Sequence, residues 1–162
     1  MFKNLSLHNK ISMVLAISCF IFIFAMSARP ADESTKMSHW VGKVCASVFV
    51  PGFNHMSADR QEEIAEKIDF PVRKTAHATE YGLLALTVFF SFSEDMRSGR
   101  RSLLSILISF LYAASDEIHQ LFVPGRAGMF RDVMIDTGGA VLMIMIISII
   151  RLIRKRHQLC TE

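Results

Sequence analysis

The sequence predicts an all-α polytopic membrane protein with four transmembrane helices and an external loop that contains a short amphipathic helix. Three observations predict it. Apolar residues make up 51% of the 162 residues and charged residues only 20%, more oil than one small aqueous core can hide. That oil is concentrated in four runs of about 18 to 20 residues, the length that crosses a hydrocarbon layer about 30 Å thick. Finally, Val141–Ile150 contains Ser148 as its one polar residue, so as a helix it is greasy on every side. A helix of a soluble bundle carries polar residues along one face.

The first span is Ile11–Ala28, free of charge and preceded by Lys3 and Lys10. Its phenylalanine-rich run is long for the apolar region of a leader peptide, so an uncleaved anchor is expected. The connection from Arg29 to Lys74 holds seven basic and seven acidic residues. Within it, Met37–Phe53 places Trp40, Val41, Val44, Val48 and Phe49 where an interfacial amphipathic segment would hold them. Ordinary packing on the bundle explains the same pattern. Ser57 is expected to cap a helix to about Ile68, with Glu62 and Glu63 near its start and Lys67 at its end. Pro71 suits the first turn of the next helix, which forms the second span, Thr75–Ser93. The third is Ser102–Phe122 and the fourth Asp132–Ile150. The chain thus divides into an anchor segment (1–28), an external loop (29–70), a three-helix core (71–150) and a basic tail (151–162).

Lysine and arginine bias in short loops orients membrane helices. Lys3 and Lys10, then Arg97, Arg100 and Arg101, then Arg151, Arg154, Lys155 and Arg156 alternate correctly for both termini in the cytoplasm. The net charge of +3 comes from residues at helix ends, which argues against a nucleic-acid surface. Cys19, Cys45 and Cys160 lie in different regions and offer no disulfide framework.

The ionisable residues of the last three spans all fall at one end. His77 and Glu80 open the second span; Asp116, Glu117, His119 and Gln120 close the third. Arg126 and Arg131 occupy the turn, and Asp132 and Asp136 open the fourth. Ionisable groups at membrane depth are costly and usually face the bundle or water, which makes them functional candidates. Helical spacing aligns Arg73, His77, Glu80 and Leu84 on one face, and Tyr112, Asp116, His119 and Gln120 on another, with Glu117 a quarter-turn away. On the fourth helix Asp132, Asp136, Gly139 and Met143 align, and Gly138–Gly139 permits a close crossing. Three such stripes would enclose one external pocket.

At these residues the sequence resembles the VanZ-like family. The stretches are Arg73-Lys74-Thr75-Ala76-His77-Ala78-Thr79-Glu80-Tyr81, then Ser115-Asp116-Glu117-Ile118-His119-Gln120-Leu121-Phe122-Val123-Pro124-Gly125-Arg126, then Arg131-Asp132 with Asp136. The family pattern is roughly RKxxHxxEY, then DExxQxFxPxR, then Asp followed four residues on by Asp or Asn. Asp136 stands where many relatives carry Asn. The resemblance implies a bacterial inner-membrane protein of the cell envelope, similar to accessory proteins of teicoplanin resistance. It implies no particular reaction.

Four readings of the polar set remain open. As an enzyme, His77, Glu80, Asp116, Glu117 and His119 would supply catalytic acid and base to a lipid-linked or head-group substrate. Arg73, Lys74, Tyr81, Gln120, Arg126, Arg131, Asp132 and Asp136 would bind it, the arginines gripping a phosphate. The sequence requires no cofactor, but His77 with Glu80 and Asp132 with Asp136 offer ligands to a divalent metal. As a non-enzymatic binder or transport accessory, the same residues would hold a lipid head or glycopeptide, or relay protons. As structure alone, they are ion pairs that lock helix ends together.

Overall fold

The computed structural model describes residues 5–159, so Lys3 and Cys160 lie outside the described residues. It is all-α: five helices and one 3-10 turn (Phe53–His55) account for the regular structure among those residues. The helices are α1 (Leu7–Ser27), α2 (Ala31–Phe49), α3 (Ala58–Ser91), α4 (Ser98–Gln120) and α5 (Phe130–Leu159). By length and composition, α1 and α5 are apolar enough to cross a membrane, whereas α3 and α4 are not. Composition therefore supports two spans rather than the four expected. The polar residues that end α4 and occupy the first half of α3 dilute the apolar character of both helices.

A capping box starts α1. The Asn9 N–H donates to Ser6 Oγ (3.2 Å) while Asn9 Oδ1 accepts from the Ser6 N–H (3.1 Å), Asn9 filling the role usually played by Glu or Gln. The Asn9 amide is then committed twice more, donating to the carbonyls of Phe90 (2.9 Å) and Phe92 (2.8 Å). The start of α1 is tied in this way to the end of α3. Farther along, the Tyr112 hydroxyl donates to the Phe20 carbonyl (2.6 Å), so α1 is built into the bundle at both heights.

The external loop departs most from expectation. α2 begins at Ala31, earlier than the segment foreseen, and packs on the first half of α3 through Gly42 against Ala65. Its polar seam is dense: Lys43 Nζ (2.5 Å) and His39 Nε2 (2.7 Å) both meet Glu62, and Ser38 donates to Asp69 (2.5 Å). Trp40, Val44 and Val48 stay exposed on the opposite face. The helix from Ser57 does not stop at Ile68. It runs through Pro71 into the second span as one 34-residue rod, and the Ser57 side chain makes no capping bond. Proline removes one backbone donor, but the flanking turns keep their helical pairing. At 1.5 Å per residue the rod is roughly 50 Å long, so part of it must lie beyond any hydrocarbon layer.

The buried side of α4 runs through Arg101, Ser105, Ser109, Ala113, Asp116, Glu117 and Gln120, while Leu103, Leu107, Leu111 and Ile118 are exposed. That is the inverse of a helix in a water-soluble bundle. α5 packs most extensively on α3, burying Val133, Asp136, Ala140, Ile144 and Ile147 at three- and four-residue steps. Their crossing is close at Gly82 and Gly139: a Cβ on Gly82 would lie 3.3 Å from the Gly139 carbonyl oxygen, and one on Gly139 would collide with the Ala78 backbone. Gly138 faces open space, so only one of the expected glycine pair makes the approach.

Candidate functional site

The turn between α4 and α5 is positioned by the start of α2. Gly125 adopts φ +72°, a conformation that side chains disfavour, and faces Ala31. The Ala31 N–H donates to the Pro124 carbonyl (3.2 Å), and Arg126 Nε donates to the Arg29 carbonyl (3.3 Å). These contacts aim Arg126 back toward α3. A cavity of about 260 Å³ results, lined by Arg73, Lys74, His77, Glu117, Gln120, Arg126, Arg131, Asp132 and Asp136 together with Phe70, Ser34 and the turn. Each helical stripe sends one or two residues into it: Arg73 and His77 from α3, Gln120 from α4, and Asp132 and Asp136 from α5.

Its charges are unequally committed. Lys74 Nζ donates to Asp132 Oδ2 (2.5 Å), joining α3 to α5. Arg73 donates to Asp69 Oδ2 (2.5 Å), one turn earlier on α3. Arg126 and Arg131 form no ion pair with a carboxylate among the described residues; Arg126 holds a carbonyl, and Arg131 lies over the Phe70 ring, 5.2 Å from its centre. Burial pushes the Arg126 guanidinium below its ordinary value, and neighbouring Arg73 adds to the effect. On the acidic side Glu117 accepts the Met129 N–H (2.7 Å) and a longer bond from Gln120 (3.4 Å). Asp136 is 3% exposed, and its Oδ1 has no hydrogen-bond partner; nor has Oδ1 of Asp132.

The other predicted site residues lie elsewhere. Glu80 lines a second, smaller cavity of about 190 Å³ between α2 and α3, which shares Arg73, His77, Ser34 and Arg126 with the first. His77 thus stands at the junction of both, with Nδ1 3.6 Å from Glu80 Oε2. Asp116 is buried and accepts a bond from Gln120 (3.1 Å) without lining either cavity. His119 packs its ring on Phe24 of α1, 4.7 Å between centres. Tyr81 is fully buried in the α1–α3–α4 core beside Tyr112. On α4, therefore, Glu117 faces the chamber and His119 does not, the reverse of the emphasis that spacing alone gave. Helix α1 engages both His119, through Phe24, and Tyr112, through the Phe20 carbonyl.

Sequence reasoning missed Phe70, which sits under both Lys74 (5.6 Å) and Arg131, and Asp69, which fixes Arg73. The four-residue step from Asp69 to Arg73 is a legible signal; nothing marks Phe70. Among the described residues no three His, Cys, Asp or Glu side chains converge as metal ligands would. His77–Glu80 and Asp132–Asp136 therefore do not assemble the metal set that their spacing offered.

Next to the chamber, an apolar groove of about 540 Å³ runs between α3 and α5 along Ala78, Gly82, Gly139, Leu142, Met143 and Ile146. Lys74 belongs to both. The family model described as VanZ/LLP1 matches residues 12–151. No curated protein and no solved structure matches the chain.

Proposed function

The chain belongs to the VanZ/LLP1 family, and from that premise we propose that it holds the polar head of a lipid or lipid-linked molecule in the chamber between α3, α4 and α5. All four long helices α1, α3, α4 and α5 cross the bilayer in this reading, with the chamber on the external side and both termini in the cytoplasm. The observation that carries it is the pair of guanidiniums without an ion pair, Arg126 and Arg131, lining a cavity that also holds carboxylate oxygens of Asp132 and Asp136 with no hydrogen-bond partner. Two unpaired arginines attract a phosphate or comparable oxyanion and can bind it through paired N–H donors. The carboxylate oxygens accept from hydroxyl or amine groups of the same head. The adjoining groove supports an occupant with a hydrocarbon tail, since its walls are apolar and Lys74 stands where the two spaces meet.

If the bound molecule also reacts, His77 and Glu117 are the chamber's acid and base. The His77 imidazole reaches both cavities, and Glu117 is held in place by the Met129 N–H. The test is binding of an alkyl phosphate such as dodecyl phosphate to the full chain in neutral detergent. Arg126→Gln and Arg131→Gln should each weaken it about tenfold, the loss expected for a charge-assisted contact. Inorganic phosphate, lacking a tail, should bind far more weakly. Unchanged affinity in the double variant would defeat the proposal.

A further inference from the structure

The end of the bundle opposite the chamber holds a second cluster of cations, which none of the three motifs includes. Arg101, in the first turn of α4, is only 3% exposed, yet its Nε has no hydrogen-bond partner. Its guanidinium carbon lies 4.4 Å from the centre of the Phe89 ring, and that of Arg151, near the end of α5, lies 5.4 Å from the same ring. Neither arginine has a carboxylate ion pair among the described residues. Beside them a cavity of about 370 Å³ is walled by Arg101, Arg151, Arg154 and Glu94 on its polar side and by Ile147 and Ile150 on its apolar side.

Two guanidiniums gathered on one ring repel each other. The ring attracts each cation but accepts none of the in-plane N–H groups, five per arginine. A buried donor left unmet is expensive, and one exposed glutamate does not balance three arginines. An oxyanion between Arg101 and Arg151 would cancel the repulsion and take the free N–H donors. The isoleucine wall belongs to α5, one of the two helices apolar enough to span a bilayer, so hydrocarbon and anion are offered side by side. Phospholipid phosphates lie at that depth, at the edge of the hydrocarbon.

We propose that this cluster binds the phosphate of an anionic membrane phospholipid, with Arg101 and Arg151 as its ligands and an acyl chain against Ile147 and Ile150. The site is separate from the chamber and does not depend on its reading. The full chain, purified in neutral detergent, is titrated with phosphatidylglycerol, phosphatidylcholine or inorganic phosphate, and retained lipid is counted by native mass spectrometry alongside the melting temperature. Phosphatidylglycerol should bind and raise the melting temperature; Arg151→Gln should cut its affinity about tenfold. Arg151 is exposed, so this variant does not empty the core as Arg101→Gln would. Arg100→Gln, at the same end but outside the cavity, should bind as the parent does. The proposal fails if Arg100→Gln loses as much as Arg151→Gln, since diffuse charge would then be enough. It also fails if phosphatidylcholine or inorganic phosphate binds as well as phosphatidylglycerol.

Discussion

Asp136 sets burial against charge more sharply than any other chamber residue. Its side chain is almost fully enclosed by α3 and α5, and one carboxylate oxygen finds no donor. An unmet buried acceptor costs about 1–3 kcal/mol, more when charged. Asp136→Asn keeps the shape and removes the charge, so the melting temperature in detergent should rise by a few degrees. A fall would mean that the folded protein holds this carboxylate with a donor. At this scale helical spacing made part of the chamber legible in the sequence: Arg73 with His77, and Asp132 with Asp136, share a face on their helices and line one cavity. Spacing did not show that Glu80 and Asp116 stay outside the chamber, nor that α1 and the core claim His119 and Tyr81. Phe70 was illegible for another reason: a phenylalanine under two cations leaves no mark that distinguishes it from packing.

Among the elements, the crossing of α3 and α5 makes the sharpest demand on sequence. Gly139→Ala puts a methyl group into the Ala78 backbone, which cannot yield as a side-chain tip can. The variant should lose about 1–3 kcal/mol in a denaturant titration. Gly138→Ala, one residue earlier and facing open space, should be neutral or gain up to about 1 kcal/mol from helix propensity. Equal effects would show that the two helices do not cross there. The docking of α2 on α3 makes a prediction about acid. Hydrogen bonds from Lys43 first, then His39, hold the Glu62 carboxyl below its ordinary value of 4.5. A carboxyl lowered by folding stabilises above its unfolded pKa and stops doing so as pH falls through the lowered value. Backbone amides of Ala31–Phe49 should therefore lose protection below about pH 4.5, after correction for intrinsic exchange. Glu62→Gln should show that loosening already at neutral pH. The element boundary that the sequence misplaced lies in this region. Pro71 suits a helix start because proline is favoured in the first turn, but the register of Asp69, Arg73 and His77 runs straight through it, and packing on α2 sustains the rod.

For the whole molecule, the question is which solvent the outside of the bundle meets. α4 exposes Leu103, Leu107, Leu111 and Ile118 and buries serines, acids and an arginine. In water this would strand apolar surface and enclose polar groups, opposing folding twice; in hydrocarbon both halves become favourable. The same inversion is compatible with a span despite the modest average apolarity of α4, because neighbouring helices rather than water would satisfy its polar residues. If α4 crosses, its two ends lie on opposite sides of the membrane, and the chamber lies on the side away from Arg97, Arg100 and Arg101. Single cysteines placed at Ala127 and at Gly99, with Cys19, Cys45 and Cys160 replaced by serine, measure this directly. A membrane-impermeant maleimide should label Ala127→Cys in intact cells and Gly99→Cys only after permeabilisation. Labelling of both from outside would return α4 to one side of the bilayer and dissolve the four-span arrangement. Labelling of Gly99→Cys alone would keep the crossing and invert the protein, placing the chamber in the cytoplasm and the Arg101–Arg151 cluster in the outer leaflet.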